Sequence, residues 1–237
     1  MNSEDNFETY LYVSNEKFSI LVKKKNSDKT LYENNFILNE KKIKNSYDLL
    51  DQFLNTHIFK IENLLKNFIK NVNLIINSDD NLKIDISVKK VNYGEKFNKE
   101  TLNHLLIDAK NQINENYHNK IIGHIIIDKY SVDNQQYSSL PTDTDDKKCE
   151  NISIDINFIC FSKDFIKNFE KILSKYQIQI NNLVCANYIK RYFKEDFTNI
   201  FSSSQKILSG HNVNEVILVP KTQKIQGFFE KFFNFFS

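Results

Sequence analysis

Residues 152–189 read ISIDINFICFSKDFIKNFEKILSKYQIQINNLVCANYI, and they carry the clearest secondary-structure pattern of the chain. Apolar and polar residues alternate from Ile152 to Cys160, which is the pattern of a strand with one buried face. Ser162 then stands at an N-cap position, and apolar residues follow it at helical spacing, so an amphipathic helix is predicted there. A second strand is predicted over residues 177–184. The chain is therefore expected to build an α+β core.

The residues before this stretch predict a second helix and more strands. The helix begins at the N-cap Asn98, and the polar segment 134–150 is predicted to be an exposed loop. Because the elements follow one another in the order β-α-β-β-β-α-β, residues 81–185 are predicted to form a two-layer sandwich with both helices on one sheet face. Residues 83–184 are predicted to fold as a unit. Its strands are predicted over residues 83–91, 121–128, 130–133, 152–161 and 177–184.

The two ends of the chain predict further elements. Residues 1–80 contain a predicted β-meander, a long amphipathic helix that begins at Ser46, and a strand. Residues 186–220 predict a short helix through Arg191, a polar stretch and a last strand. The strands at the two ends are predicted over residues 10–13, 18–22, 31–38, 71–76 and 216–219.

Composition excludes several classes of protein. The 237 residues carry 32 Lys+Arg and 30 Asp+Glu, a formal charge of +2, so no nucleic-acid partner is indicated. Cys149, Cys160 and Cys185 have no C-x-x-C spacing and no secretory segment accompanies them, which favours a reduced cytoplasmic setting. Since no apolar run approaches the roughly 20 residues that span a bilayer, any membrane contact is expected to be peripheral.

Two further segments carry a family resemblance, FNKETLNHLLIDAK at 97–110 and IIGHIIIDKYSVDNQQ at 121–136. Together with residues 152–189 they resemble subdomain 1C of the bacterial cell-division protein FtsA, which is built on the SHS2 module. The positions that match the pattern of the family are His124, Tyr130, Val132, Asp133 and Ala186.

The resemblance implies a domain organisation. Residues 1–80 would be the N-terminal remnant of an actin-like domain, and residues 81–185 the SHS2-like module inserted into it. Residues 186–220 would be a further actin-like remnant, and residues 221–237 a tether with an amphipathic membrane helix.

The resemblance also implies a function. The chain would be an adaptor, peripheral on the inner face of the cell membrane at the division site, that recruits or anchors divisome proteins and self-associates through its SHS2-like module. Direct FtsZ binding is not expected, because in the family that surface belongs to a subdomain that this chain lacks. Two alternatives stay open: an adaptor of a pilus or secretion assembly with actin-like and SHS2-like parts, or a degenerate nucleotide-binding actin-like protein.

The phosphate loop of that family is missing. It needs an Asp and a Gly, because the Asp organises metal and water while the Gly lets backbone N–H groups approach a phosphate. Tyr12 and Ser14 stand at these positions, and no Gly follows Ala186 until Gly210. Neither a cofactor nor ATP hydrolysis is therefore expected, and the protein is predicted not to be an enzyme.

Other candidate sites are weaker. The histidines at 104, 118 and 124 fit no metal-ligand spacing, and thiols in apolar strands are normally inert. An acidic loop lacks the Gly and the closing Glu of a calcium loop, and two lysine runs lack interleaved aromatic residues. The metal candidates are His104, Asp108, His118, His124 and Asp128, and the thiol candidates are Cys160 and Cys185. The acidic loop contains Asp143, Asp145 and Asp146. The lysine runs are Lys23, Lys24 and Lys25, and Lys41, Lys42 and Lys44.

The last residues form the candidate membrane site. On a helical projection of residues 227–237 the phenylalanines fall within an arc of roughly 160°, with no polar residue on that face. Such a helix is predicted to bind anionic lipid at the membrane surface, and the alternative is that it packs on the core of its own chain. The predicted membrane-binding residues are Phe228, Phe229, Phe232, Phe233, Phe235 and Phe236, with Lys224 and Lys231.

Overall fold

The computed structural model describes residues 6–25, 27–38, 46–96, 99–133, 135–141 and 148–216. These residues form two sheets and five α-helices. The strands are β1 (Phe7–Ser14), β2 (Lys17–Lys24), β3 (Thr30–Ile37), β4 (Asn71–Asn77), β5 (Asn81–Val91), β6 (Lys120–Val132), β7 (Gln135–Tyr137), β8 (Asn151–Ser162) and β9 (Gln179–Cys185). The helices are α1 (Tyr47–Leu65), α2 (Lys99–Asn116), α3 (Lys163–Ser174), α4 (Ala186–Phe193) and α5 (Ile200–Leu208).

The first sheet has five strands in the order β3-β2-β1-β4-β9. The meander β1-β2-β3 is antiparallel, whereas β4 and β9 extend it in parallel from β1. Helices cover both of its faces. Phe18 contacts Phe53 of α1 on one face, and Tyr10 and Tyr12 contact Phe201 of α5 on the other.

The second sheet has four antiparallel strands in the order β5-β8-β6-β7, and α2 covers one face. Alternate residues of β8 point into this core, as the sequence pattern predicts. The buried residues of α2 recur at helical spacing, so one face of that helix packs on the sheet. The buried residues of this layer include Leu102, Leu105, Ala109 and Ile113 of α2, and Ile152, Ile154, Ile156 and Phe158 of β8.

Strand β8 belongs to both cores. Its N-terminal part faces α2, while Ile159 and Phe161 at its C-terminal end are buried in the core of the first sheet. Helix α3 follows β8 at once and packs there too, where the Phe169 ring lies 5.5 Å from the Tyr47 ring of α1. The two layers are thus joined through one long strand.

The α+β class is confirmed, but the expected arrangement of one sandwich with both helices is wrong. Strand β9 pairs with β4 in the first sheet, and α3 packs with α1 rather than beside α2. The reason is that a parallel partner far away in the sequence leaves no local signal, whereas the apolar face of a helix shows only that it is buried. The four domain ranges stay predictions.

Three local differences also appear. Helix α5 occupies the polar stretch for which the sequence predicted no element, with Ser203 and Ser204 buried. Strand β6 is one strand of 13 residues with register shifts rather than two strands. At the end of the described chain Glu215 forms an isolated bridge with Ile126, and residues 217–219 of the predicted last strand lie outside the described residues.

Candidate functional site at the junction of the two sheets

The side chain of Ser14 closes the turn between β1 and β2. Ser14 Oγ accepts hydrogen bonds from the backbone N–H groups of Glu16 at 3.2 Å and Lys17 at 3.0 Å, and donates to Lys17 O at 3.1 Å. A phosphate loop would aim such N–H groups at its ligand. Here Ser14 Oγ accepts both of them.

Tyr12 fills the space beside this turn. Its side chain is buried, its hydroxyl accepts a hydrogen bond from Asn77 at 3.0 Å, and its ring packs against Phe201. Burial raises the pKa of the Tyr12 phenol, so it stays neutral and cannot organise a metal ion as a carboxylate would. The structure therefore brings Tyr12 and Ser14 together in a packed turn.

A buried polar network lies where the two sheets meet, and His124 is its centre. His124 of β6 is 3% exposed, and its Nε2 accepts a hydrogen bond from the Cys185 N–H at 2.8 Å. Since Nε2 is an acceptor, the ring proton lies on Nδ1, which donates to Glu215 Oε1 at 2.6 Å. One imidazole thus joins β6, the end of β9 and the C-terminal segment.

Two more side chains complete this network. The Tyr188 hydroxyl of α4 donates to Glu215 Oε2 at 2.7 Å and accepts from the Asn212 amide at 2.8 Å. Burial, followed by the nearby Glu215 carboxylate, raises the pKa of Tyr188 well above its ordinary value. Both oxygens of Glu215 are therefore bonded, as a buried carboxylate requires.

Gly123 sets the path of β6 at this point. The register between β6 and β8 shifts between Ile122 and His124, and a Cβ placed on Gly123 would lie 2.6 Å from Phe161 Cε2. Only glycine lets the strand approach the Phe161 ring so closely. The next residue after this register shift is His124, whose side chain bonds to Cys185 at the end of β9.

A groove with a volume of about 230 Å³ lies beside the network, between β6 and β9. Strand β9 is the last strand of its sheet, and no described strand pairs with the outer edge of β6 over residues 120–124. Within the described residues, the unpaired stretch of β6 and the last strand β9 therefore both line this groove. Its apolar walls include Ile121, Ile122, Ile166, Ile180, Leu183, Ile207, Leu208 and Val216, and its polar lining includes Glu170, Asn181, Asn182 and Glu215.

No protein-family model matches this chain, and no curated protein matches it. Among solved structures it is similar to the PilM-PilN type IV pilus biogenesis complex, with a TM-score of 0.43 and 7% identity over 78% of this chain. A second is the cytoplasmic domain of EpsL, an inner-membrane component of the type II secretion system of Vibrio cholerae, with a TM-score of 0.35 and 9% identity over 77% of this chain. A third is a Bacteroides thetaiotaomicron protein with an actin-like ATPase fold and unknown function, with a TM-score of 0.32 and 14% identity over 80% of this chain.

The chain spans about half the length of these structures, namely 49%, 57% and 56% of them. At such identities and TM-scores the similarity assigns neither an activity nor a partner to the chain.

The other candidate residues do not assemble into a site. His104 is exposed on α2, and His118 follows that helix, whereas both ring nitrogens of His124 are already bonded. Within the part of the chain that the structure describes, no group of three or more His, Cys, Asp or Glu residues could hold a metal ion. Burial raises the pKa of the Cys160 thiol to about 11 and also raises that of Cys185, which disfavours a thiolate nucleophile.

Several predicted residues lie outside the described residues. These are the membrane-binding residues Phe228, Phe229, Phe232, Phe233, Phe235, Phe236, Lys224 and Lys231, the acidic residues Asp143, Asp145 and Asp146, and the lysines at 41, 42 and 44. None of the described helices is long and apolar enough to cross a membrane.

Sequence reasoning missed the partners of His124. The sequence pattern singled out His124 itself, but Glu215, Tyr188 and Asn212 follow no motif and come from segments distant in the sequence. The groove was missed for the same reason, because it exists only once β9 joins the first sheet.

Proposed function

We propose that this protein is a non-enzymatic adaptor that binds an extended, mainly apolar segment of a partner protein in the groove between β6 and β9. The observation that carries this proposal is that β6 and β9, each with a stretch of edge that no described strand covers, both line one groove with apolar walls. An extended segment placed there would add to a sheet through main-chain hydrogen bonds, and its alternate side chains would contact the apolar walls.

The shape of the groove favours a strand over a small molecule. Its volume of about 230 Å³ is below the roughly 300–1,000 Å³ that small-molecule sites usually have. Its long walls, Ile121 and Ile122 on one side and Ile180 and Leu183 on the other, suit side chains that alternate along an extended peptide.

A photo-crosslinking amino acid at position 181 tests the groove. Asn181 is exposed on β9 and lines the groove, so a crosslinker there should capture one short segment of a partner, and Ile180→Glu should abolish the capture. The same crosslinker at His104, which is exposed on α2, is the control. Equal capture at both positions would rule out the groove as the docking site.

The non-enzymatic part rests on the β1-β2 turn. Since Ser14 Oγ accepts the N–H groups of Glu16 and Lys17, the turn has no geometry that cradles a phosphate. Calorimetry with Mg-ATP is expected to give no heat of binding. A micromolar dissociation constant for Mg-ATP would contradict this part of the proposal, and leave the peptide groove to be judged by the crosslink.

A separate part of the proposal concerns the cellular assembly to which the adaptor belongs. The resemblance of residues 97–189 to subdomain 1C favours a divisome adaptor at the membrane, whereas two of the similar structures come from pilus and secretion systems. We propose a membrane-associated assembly of one of these kinds. A fluorescent fusion in dividing cells separates them, because only a division adaptor should concentrate at the septum.

A further inference from the structure

Strand β5 is a long strand at the edge of the second sheet. All 11 of its residues pair with β8 on one side, from Asn81 opposite Phe161 to Val91 opposite Asn151. On its other side no described strand pairs with it. An open edge of this length is a template for pairing with another strand, so what covers it decides whether the protein associates.

The hydrogen bond next to the ladder shows which backbone groups face this open edge. The Asn92 N–H donates to Glu150 O at 2.7 Å, so residue 92 points toward β8. Because the direction alternates along a strand, the even-numbered residues of β5 point toward β8 and the odd-numbered residues point away from it. The outward-pointing residues are Asn81, Lys83, Asp85, Ser87, Lys89 and Val91.

We propose that β5 pairs in antiparallel fashion with β5 of a second copy of this chain, about a two-fold axis at Ser87. In that register Ser87 faces its own copy through outward N–H and C=O groups. Asp85 then lies opposite Lys89 of the second copy, and Lys89 lies opposite Asp85 of the second copy. A cross-strand pair of opposite charges is therefore formed twice, as an isologous interface requires.

The charges of the cross-strand pairs favour the axis at Ser87 over axes at neighbouring residues. A two-fold axis at Ile86 would place Lys83 opposite Lys89, which is a repulsive pair. An axis at Ile84 would pair Lys83 with Asp85, but it would use residues 81–87. That overlap is seven residues long, two fewer than the overlap about Ser87. The axis at Ser87 uses residues 83–91 instead.

Neighbouring side chains hold the charged face in place. Asp85 Oδ1 accepts a hydrogen bond from the Asn157 amide at 2.6 Å, and Ser87 Oγ donates to Asp155 Oδ1 at 2.6 Å. The pairing does not depend on the proposed peptide groove, because β8 separates β5 from β6 and the groove lies at the far edge of β6. A dimer formed through β5 therefore leaves the groove open.

Sedimentation of the full chain tests the proposal by charge exchange. The wild-type protein is expected to show a concentration-dependent dimer. D85K and K89D should each place two like-charge pairs across the axis, and should each weaken dimerisation by about tenfold or more. Mixing the two single variants should restore a dimer of one copy of each, and D85K/K89D should dimerise alone. K83D is the control, because Lys83 lies opposite Val91 of the second copy and should have little effect.

A crosslink covers the case in which D85K fails to fold. S87C should form an intermolecular disulfide readily under mild oxidation, because the two copies of residue 87 meet at the axis, whereas K89C should not. The native cysteines are buried and do not compete. A wild-type protein that stays monomeric at all concentrations, or a dimer that none of the charge exchanges changes, would overturn the proposal.

Discussion

His124 Nδ1 lies 2.6 Å from Glu215 Oε1, and the two side chains are 2% and 9% exposed at the junction of the two sheets. The same segment that carries Glu215 is bonded to β6 by its backbone, since Val216 N–H donates to Ile125 O at 2.9 Å. The pair therefore ties the segment 212–216 to β6, and through His124 to the end of β9. It also fixes one side of the groove, because His124, Glu215 and Val216 line it.

His124→Ala should destabilise the whole fold. It leaves the Cys185 N–H and one oxygen of Glu215 buried without a partner, and such a loss costs about 3 kcal/mol. Urea unfolding followed by circular dichroism measures the change in the free energy of unfolding. His104→Ala on the exposed face of α2 is the control and should change it by less than about 0.5 kcal/mol. Equal effects of the two substitutions would show that the network carries no stability.

Gly123→Ala should be destabilising because of one close approach. The new Cβ would lie 2.6 Å from Phe161 Cε2, and Phe161 is 1% exposed, so the ring cannot move into solvent. Overpacking of this kind costs about 1–3 kcal/mol. Phe161→Leu removes the contacting ring atoms, so in a double-mutant cycle Gly123→Ala should cost less in that background. An unchanged cost would place the strain elsewhere.

The sequence predicted those elements whose signal is local. The alternation of β8, the apolar face of α3 and the long helix α1 all lie where periodicity placed them. Helix α5 was missed because Ser202, Ser203 and Ser204 have low helix propensity, although Ser203 and Ser204 are small enough to be buried. Burial of a small polar residue leaves no hydrophobic pattern in the sequence.

The sheet membership of β9 could not be predicted in this way. Its pairing with β4 joins residues far apart in the chain, such as Asn73 and Asn182, whose side chains are bonded at 2.8 Å. The candidate site depends on that pairing, since β9 supplies one wall of the groove. The site is therefore a product of long-range topology, whereas the residue types that build it are ordinary.

Asp128→Asn should stabilise the protein at neutral pH. Asp128 is exposed on β6, but partial desolvation there, and then the nearby carboxylates of Asp85 and Asp155, raise its pKa above the ordinary value of 3.8. The folded state thus holds this proton more tightly than the unfolded state, and the stabilising contribution is lost as the pH rises through the folded pKa. The gain in Tm over wild type should be largest near pH 7 and should vanish at low pH, where both states are protonated.

Asp51→Asn is the matched control, because the pKa of Asp51 is shifted in the opposite direction and the change in Tm should also be opposite. A hydrogen bond from Lys175, at 2.6 Å, lowers the pKa of Asp51, so its contribution is present at neutral pH and is lost as the pH falls through the folded pKa. This variant should therefore have a lower Tm than wild type near pH 7. Thermal melts of the three proteins from pH 3 to pH 8 make the comparison. A lower Tm for Asp128→Asn at pH 7 would contradict the argument.

The phenylalanine-rich C-terminus should bind membranes weakly and reversibly. Each of its six Phe residues could contribute roughly 1.5–3 kcal/mol on full burial, but an interfacial helix buries its rings only in part. About ten residues also hold no helix in water, so the cost of folding is met on docking. Lys224 and Lys231 add about 1 kcal/mol each on anionic lipid, which salt would screen.

Phe232→Glu together with Phe233→Glu should abolish co-sedimentation with phosphatidylserine-containing liposomes while the thermal transition stays unchanged. The two charges would lie near the centre of the apolar arc that the sequence predicts. Phe59→Glu together with Phe68→Glu is the matched control, because these side chains are 71% and 72% exposed on the folded body and the charge change is the same. That control should still bind liposomes. If the first variant instead unfolds or aggregates, and the parent protein never binds liposomes, these phenylalanines belong to the core of the protein and the membrane hypothesis is wrong.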